Sequence, residues 1–214
     1  MTDHKRCLLI IDMQYDFIDG SLKVEEAEEI IRLIKDLLKS TETKFDLVVF
    51  TKDDHPQSHI SFSSNHIGKK PFSEYTYTSK VDANHKFTSL LWPDHCIVGT
   101  KGNEIHKELV DEYKDGKING VETLFVGKGK QTDREFFSCF NDVLNEEHTE
   151  LEIILKERDI KDVYVCGLAY DYCVYNSALS SSELGLNTWI VDNMTKKIDK
   201  SWKLDSKAIK KITL

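Results

Sequence analysis

Five short apolar runs, spaced by stretches of helical periodicity, constrain this chain more than any other feature. They are "CLLII" (7–11), "LVVF" (47–50), "TLFV" (123–126), "VYVC" (163–166) and "TWIV" (188–191). Each is rich in Val, Ile, Leu or aromatics and carries almost no polar alternation. That is the pattern of strands buried on both faces, which belong to parallel sheets covered by helices. Between the first two runs, "VEEAEEIIRLIKDLLKS" places Ile30, Ile34, Leu37 and Leu38 along one helical stripe. Its acidic residues crowd the first turns and Lys35 and Lys39 the last, which suits the helix dipole. Further helices are expected near 103–114, 149–158 and 173–184, the last stopped by Gly185. The expectation is an α/β fold: an open, mainly parallel, doubly wound sheet with helices on both faces. At 214 residues the chain reads as a single domain, 1–214.

One segment breaks the rhythm. From about 52 to 101 no clear strand or long helix is legible, yet the stretch holds five of the eight histidines. A structureless insertion of that length in a compact domain is usually functional or disordered, and the histidines favour function.

Composition narrows the partners. With 29 Lys+Arg against 37 Asp+Glu, the net charge is −8 and no basic patch dominates, so neither nucleic acid nor anionic membrane is expected. The apolar run before Asp12 is only five residues long, too short for a signal-peptide core or a membrane span. Five cysteines without paired metal-site spacing suit a reducing, cytoplasmic setting, and the C-terminal "ITL" is not the S-K-L peroxisomal signal.

In open parallel sheets, ligands bind beyond the carboxyl ends of the strands. After the first run comes Asp12, and after the second "TKDDH", with Asp53 and His55. After the third comes Lys128, and after the fourth Gly167-Leu168-Ala169 and then Cys173. Each has an ordinary reading taken singly: Asp12 as a turn cap, Lys128 as a solvated cation, Cys173 as a small buried hydrophobe. Their convergence on one sheet edge outweighs those readings. Cys173 should open a helix, where backbone N–H groups and a nearby Lys lower a thiol's pKa; Asp171 opposes this by adding negative charge but can also serve as the helix cap. Cys166, inside its strand, reads as core. Asp53-x-His55 is a metal half-site. Its third ligand would come from His59, His66, His85 or His95, and spacing does not choose among them.

"LLIIDMQYDF", "TKDDHPQSHISFSSNH", "LWPDHC", "GKG" followed by "TDREFFS", and "GLAYDYCV" together resemble the nicotinamidases of the isochorismatase-like cysteine hydrolase superfamily. The match runs in order from about residue 6 to 192. The resemblance implies a catalytic triad of Asp12, Lys128 and Cys173, and an oxyanion hole from the Ala169 and Cys173 N–H groups. It implies Phe17 and Trp92 as the ring pocket, and Asp53, His55 and His95 as ligands of one divalent metal ion, Zn2+. It also implies a cis Leu168–Ala169 peptide. The expected reaction converts nicotinamide to nicotinate and ammonia through a cysteine thioester, in NAD salvage, with pyrazinamide also accepted. An N-carbamoyl compound or another small amide is the alternative substrate. The partner is thus a small molecule, and whether the chain forms a homo-oligomer stays open. Two positions depart from the usual pattern: Asp54 where relatives commonly have Trp, and Tyr170 where many have Thr.

Overall fold

The computed structural model describes residues 4–204 and 209–214. All five apolar runs are strands: β1 Lys5–Ile11, β2 Leu47–Asp53, β6 Val121–Lys128, β7 Ile160–Gly167 and β8 Asn187–Thr195. Short strands β5 Lys117–Ile118 and β9 Lys210–Ile212 complete a seven-stranded sheet, ordered β5-β6-β2-β1-β7-β8-β9. Every neighbouring pair is parallel except β5 with β6, which is antiparallel at one edge. From Cys7 to Ile11, β1 is wholly buried, because a central strand covered on both faces has no solvent side. The register matters for chemistry. Cys7 to Ile10 pair with Leu47 to Phe50, and Asp53 pairs with Lys128, so the carboxyl ends of β6, β2, β1 and β7 lie side by side.

The apolar stripe read from the sequence folds as α2, Ala27–Lys39, burying Ala27, Ile30, Ile31, Ile34 and Leu37. A single turn, α1 (Tyr15–Ile18), follows β1 and buries Phe17 and Ile18. Helix α4 (Leu151–Glu157) and helix α5 (Tyr175–Glu183) fall near their expected places, and Gly185 beyond α5 has φ +82°. The helix expected at 103–114 shrinks to one turn, α3, Lys107–Val110. Asn103 is the reason: its buried side-chain amide bonds Asp53 O, Cys96 O and the Asp54 carboxylate, holding residues 101–103 in a separate tight turn. Among the described residues, no helix is long and apolar enough to cross a membrane.

The 52–101 segment is not structureless. It contains an antiparallel hairpin, β3 Glu74–Thr78 with β4 Lys86–Leu90, outside the main sheet. Two isolated bridges, His55 with Ile97 and Phe62 with Trp92, tie the loops around it to the sheet edge.

Cys166 is fully buried in β7, where burial raises its thiol far above the ordinary range. Cys166→Ala is therefore expected to cost about 1–2 kcal/mol of stability as a small core cavity. Urea denaturation should show that loss while the purified variant turns over at the wild-type rate. A variant with normal stability and no activity would mean that the wrong thiol had been assigned to the core.

Candidate active site

Four adjacent strand ends supply the reactive groups. β1 delivers Asp12, β2 ends on Asp53, β6 ends on Lys128, and β7 leads through Gly167 to Cys173. Asp12, Asp53, Lys128 and Cys173 are all buried. The Lys128 ammonium is the hub. It lies 3.0 Å from Asp12 Oδ2, pairs closely with Asp53 Oδ1, and donates to Phe136 O at 3.0 Å and Cys173 Sγ at 3.4 Å. Burial pulls its pKa down, but Asp12, Asp53 and Cys173 outweigh burial and hold it well above its ordinary value. Lys128 is a fixed positive charge between two carboxylates and a thiol.

Those carboxylates are held differently. Burial raises Asp12, opposed by Lys128 and by a hydrogen bond from Thr51. For Asp53, burial is overcome by Lys128 and the neighbouring imidazoles, which keep it ionised far below the usual carboxylate range. Burial thus makes Asp12 the more basic of the two carboxylates, while Asp53 is held ionised.

Cys173 lies in a wide π-type turn, Tyr170–Val174, that runs directly into α5. Such turns within helical segments are frequent at functional sites. The expected lowered thiol pKa does not hold. Burial pushes Cys173 well above the ordinary thiol value, Lys128 opposes, and Asp12 and Asp53 add to the rise. Nor does Asp171 cap the helix: its two carboxylate oxygens accept the N–H groups of Ile198 (3.0 Å) and Asp199 (2.7 Å), fastening the loop after β8 to this turn. The Leu168–Ala169 peptide is cis. Among the described residues, the buried Ala169 N–H donates to no protein acceptor, so it is available to a ligand.

Beside this group stand the candidate metal ligands. Asp53 Oδ2 lies 3.6 Å from His55 Nε2 and 3.9 Å from His95 Nε2. Ligands about 2.1 Å from a tetrahedral ion are separated by about 3.4 Å, so modest contraction would close the set. Tautomers favour it too. His55 Nδ1 donates to Gly129 O at 2.9 Å and His95 Nδ1 donates to Pro93 O at 2.8 Å, leaving both Nε2 atoms turned to the same point as Asp53. Burial and the adjacent His55 hold His95 down to about 4, keeping it neutral, the form that ligates. Gly129 is needed here, since it has φ +65° and a Cβ would strike the His55 ring. The donor set fits a borderline divalent ion.

The other histidines sort out by position. His59 is buried and stacked on His55 with ring centroids 3.9 Å apart, its Nδ1 within 2.7 Å of Ser61 Oγ. His66 Nε2 donates to Ile60 O, and His85 is exposed in the hairpin connection. Asp54 does not face the metal ligands: its carboxylate is 2.9 Å from Asn103 Nδ2 and 3.2 Å from Lys52 Nζ. Phe17 packs edge-on to His95 at 5.5 Å, while Trp92 meets Tyr172 at 4.8 Å. The two rings thus border the metal ligands and the Cys173 turn respectively.

Sequence reasoning missed Gln14, Asn103 and Thr51. Gln14 clasps the Asp53 backbone from both sides, its Oε1 accepting the N–H and its Nε2 donating to the carbonyl, each at 2.8 Å. Gln14 and Thr51 were visible as polar residues in apolar surroundings at strand ends, a signal of buried partners.

Residues 6–213 match the isochorismatase domain. A nicotinamidase of Saccharomyces cerevisiae is 37% identical over 196 residues, covering 90% of this chain and 88% of its own. The crystal structure of the yeast nicotinamidase bound to the inhibitor nicotinaldehyde superposes with a TM-score of 0.89 at 33% identity, covering 98% of this chain and 100% of that one. A pyrazinamidase of Pyrococcus horikoshii in complex with zinc gives 0.73 at 27% identity, covering 98% and 99%.

Proposed function

The chain belongs to the isochorismatase family, and on that premise we propose that it hydrolyses nicotinamide to nicotinate and ammonia. The observation that carries this reading is the Lys128 ammonium set between Asp12, at 3.0 Å, and Cys173, at 3.4 Å, in a buried site. An amide is a poor electrophile, and a sulfur nucleophile is stronger than water near neutral pH. Because Cys173 rests as a thiol, its proton must leave as it attacks, and Asp12 is the acceptor.

The steps follow. Sγ bonds to the amide carbon as its proton passes to Asp12, and the carbonyl electron pair moves onto oxygen. The N–H groups of Ala169 and Cys173 stabilise that oxyanion, each worth on the order of 3 kcal/mol. Asp12 returns the proton to nitrogen, the C–N bond breaks, and ammonia departs from a thioester. Water, deprotonated by Asp12, then cleaves the thioester, and nicotinate leaves as the thiol is restored. Lys128 keeps Asp12 placed and offsets charge throughout. Asp53, His55 and His95 would hold a divalent ion, for which we favour zinc, supplying a Lewis acid that accepts the lone pair of a heteroaromatic nitrogen. Phe17 and Trp92 would flank the ring. Pyrazinamide has the same ring-nitrogen geometry and should also react. Supply of nicotinate to NAD salvage is the role this reaction suits.

The test is ammonia release from nicotinamide, pyrazinamide and benzamide by the metal-replete protein. If the ring nitrogen is anchored, benzamide should fall at least about 100-fold behind nicotinamide in kcat/KM, a low threshold beside the roughly 10,000-fold by which a site built for a polar group rejects an analogue lacking it. His95→Ala should weaken nicotinamide binding in the same direction. Equal rates for nicotinamide and benzamide would remove the anchoring role, and no ammonia from any of the three would remove the reading.

A further inference from the structure

Thr51 is fully buried, in a strand whose preceding residues, Leu47 to Phe50, are all apolar and buried. Its hydroxyl makes two hydrogen bonds, and both go to one residue. Oγ1 accepts the Asp12 backbone N–H at 3.1 Å and donates to Asp12 Oδ1 at 2.6 Å. A threonine hydroxyl has a single proton, so this donation commits it entirely to Asp12.

Asp12 needs such a partner. It has φ +46°, a left-handed conformation that non-glycine residues hold where the surroundings impose it. The torsion of its carboxylate about Cβ–Cγ is intrinsically soft, so nothing local selects which oxygen faces the thiol. Thr51 supplies the selection by bonding both ends of the residue. With Oδ1 occupied, Oδ2 is left 3.0 Å from Lys128 Nζ without an aligned hydrogen bond, keeping a lone pair open for a proton.

We propose that Thr51 is a positioning residue for the general base: its hydroxyl locks the Asp12 carboxylate and assigns proton transfer to Oδ2. In acylation the S–H bond breaks as Oδ2–H and S–C form. Thr51 keeps its own proton throughout. The inference rests on the reading of Cys173 as nucleophile and Asp12 as base.

Rapid-quench measurement of acyl-enzyme, with steady-state kinetics on nicotinamide, tests it in Thr51→Val and Thr51→Ser. Valine has the same shape without the hydroxyl; serine keeps the hydroxyl and loses the methyl. Thr51→Val is expected to acylate about 10- to 100-fold more slowly, the range for losing a hydrogen bond to a charged base, with KM and metal content within about 3-fold of wild type. Thr51→Ser should stay within about 3-fold of wild type throughout, on the scale of a small packing change. Should Thr51→Val not fold, Thr51→Ala makes the same comparison with Thr51→Ser. Wild-type acylation by the hydroxyl-free variant overturns the proposal. So does a serine variant as slow as the valine one, or an effect confined to KM. If wild type releases ammonia without ever acylating Cys173, the underlying reading fails and takes this inference with it, a result visible before any Thr51 variant is made.

Discussion

Replacing Cys173 with Ala is expected to lower nicotinamide turnover by at least about three orders of magnitude, the scale on which loss of a nucleophile is felt. The fold and metal content should survive. Cys173 is buried, but it contributes no protein ligand to the Asp53, His55 and His95 set, and alanine fits its space. The loss should appear in kcat, because in the proposed mechanism the sulfur forms its bond after the ring is bound. Intact-mass spectrometry of acid-quenched wild type should show an added nicotinoyl group that Cys173→Ala lacks. Ammonia release above about 1% of wild type would be too much for a protein without its nucleophile, and covalent catalysis would have to be abandoned.

The strained economy of this site explains which parts of it were legible in the sequence. Strands buried on both faces must be continuously apolar, so β1, β2, β6, β7 and β8 announced themselves, and the groups just past their ends came with them. The β3–β4 hairpin did not. It stands outside the main sheet and buries little beyond Tyr77, so its residues carry no long apolar run. Asp171 was misread for a related reason. A carboxylate's role depends on which donors the tertiary fold brings near, and Ile198 and Asp199 are distant from it in sequence. The thiol pKa failed on magnitude: a nearby lysine was foreseen, but burial together with two carboxylates exceeds it. The same argument puts more weight on Asp12 as the proposed proton acceptor, and makes the groups that hold Asp12 more consequential to that proposal than those that hold sulfur.

Removing the Lys128 charge is expected to do the widest damage. Lys128→Met keeps the length and apolar stem but leaves Asp12 with no cation at 3.0 Å and Asp53 without its close partner. Breaking a buried ion pair from one side costs about 3–5 kcal/mol, because the remaining charge has neither water nor a counterion. Catalysis should fall by about two to four orders of magnitude as well, since a base with a much higher pKa holds its proton. The pH dependence separates this account from simple loss of packing. In wild type, Asp53 has a depressed pKa; the stability it contributes is full above the unfolded carboxylate value, about 4, and is lost as pH falls through the folded value. In Lys128→Met, Asp12 loses the cation that opposes its burial, and its already raised pKa rises further. A group raised in the folded state stabilises below its unfolded pKa and loses that contribution as pH climbs through the folded one. The variant should therefore be destabilised most at neutral and alkaline pH and recover toward wild type on acidification, as Asp12 takes up a proton and needs no partner. Urea denaturation of both proteins from pH 5 to 8, in metal-replete buffer, measures this directly. A stability gap that stays constant across that range would assign the loss to packing and leave the buried charge of Asp12 without its stated consequence.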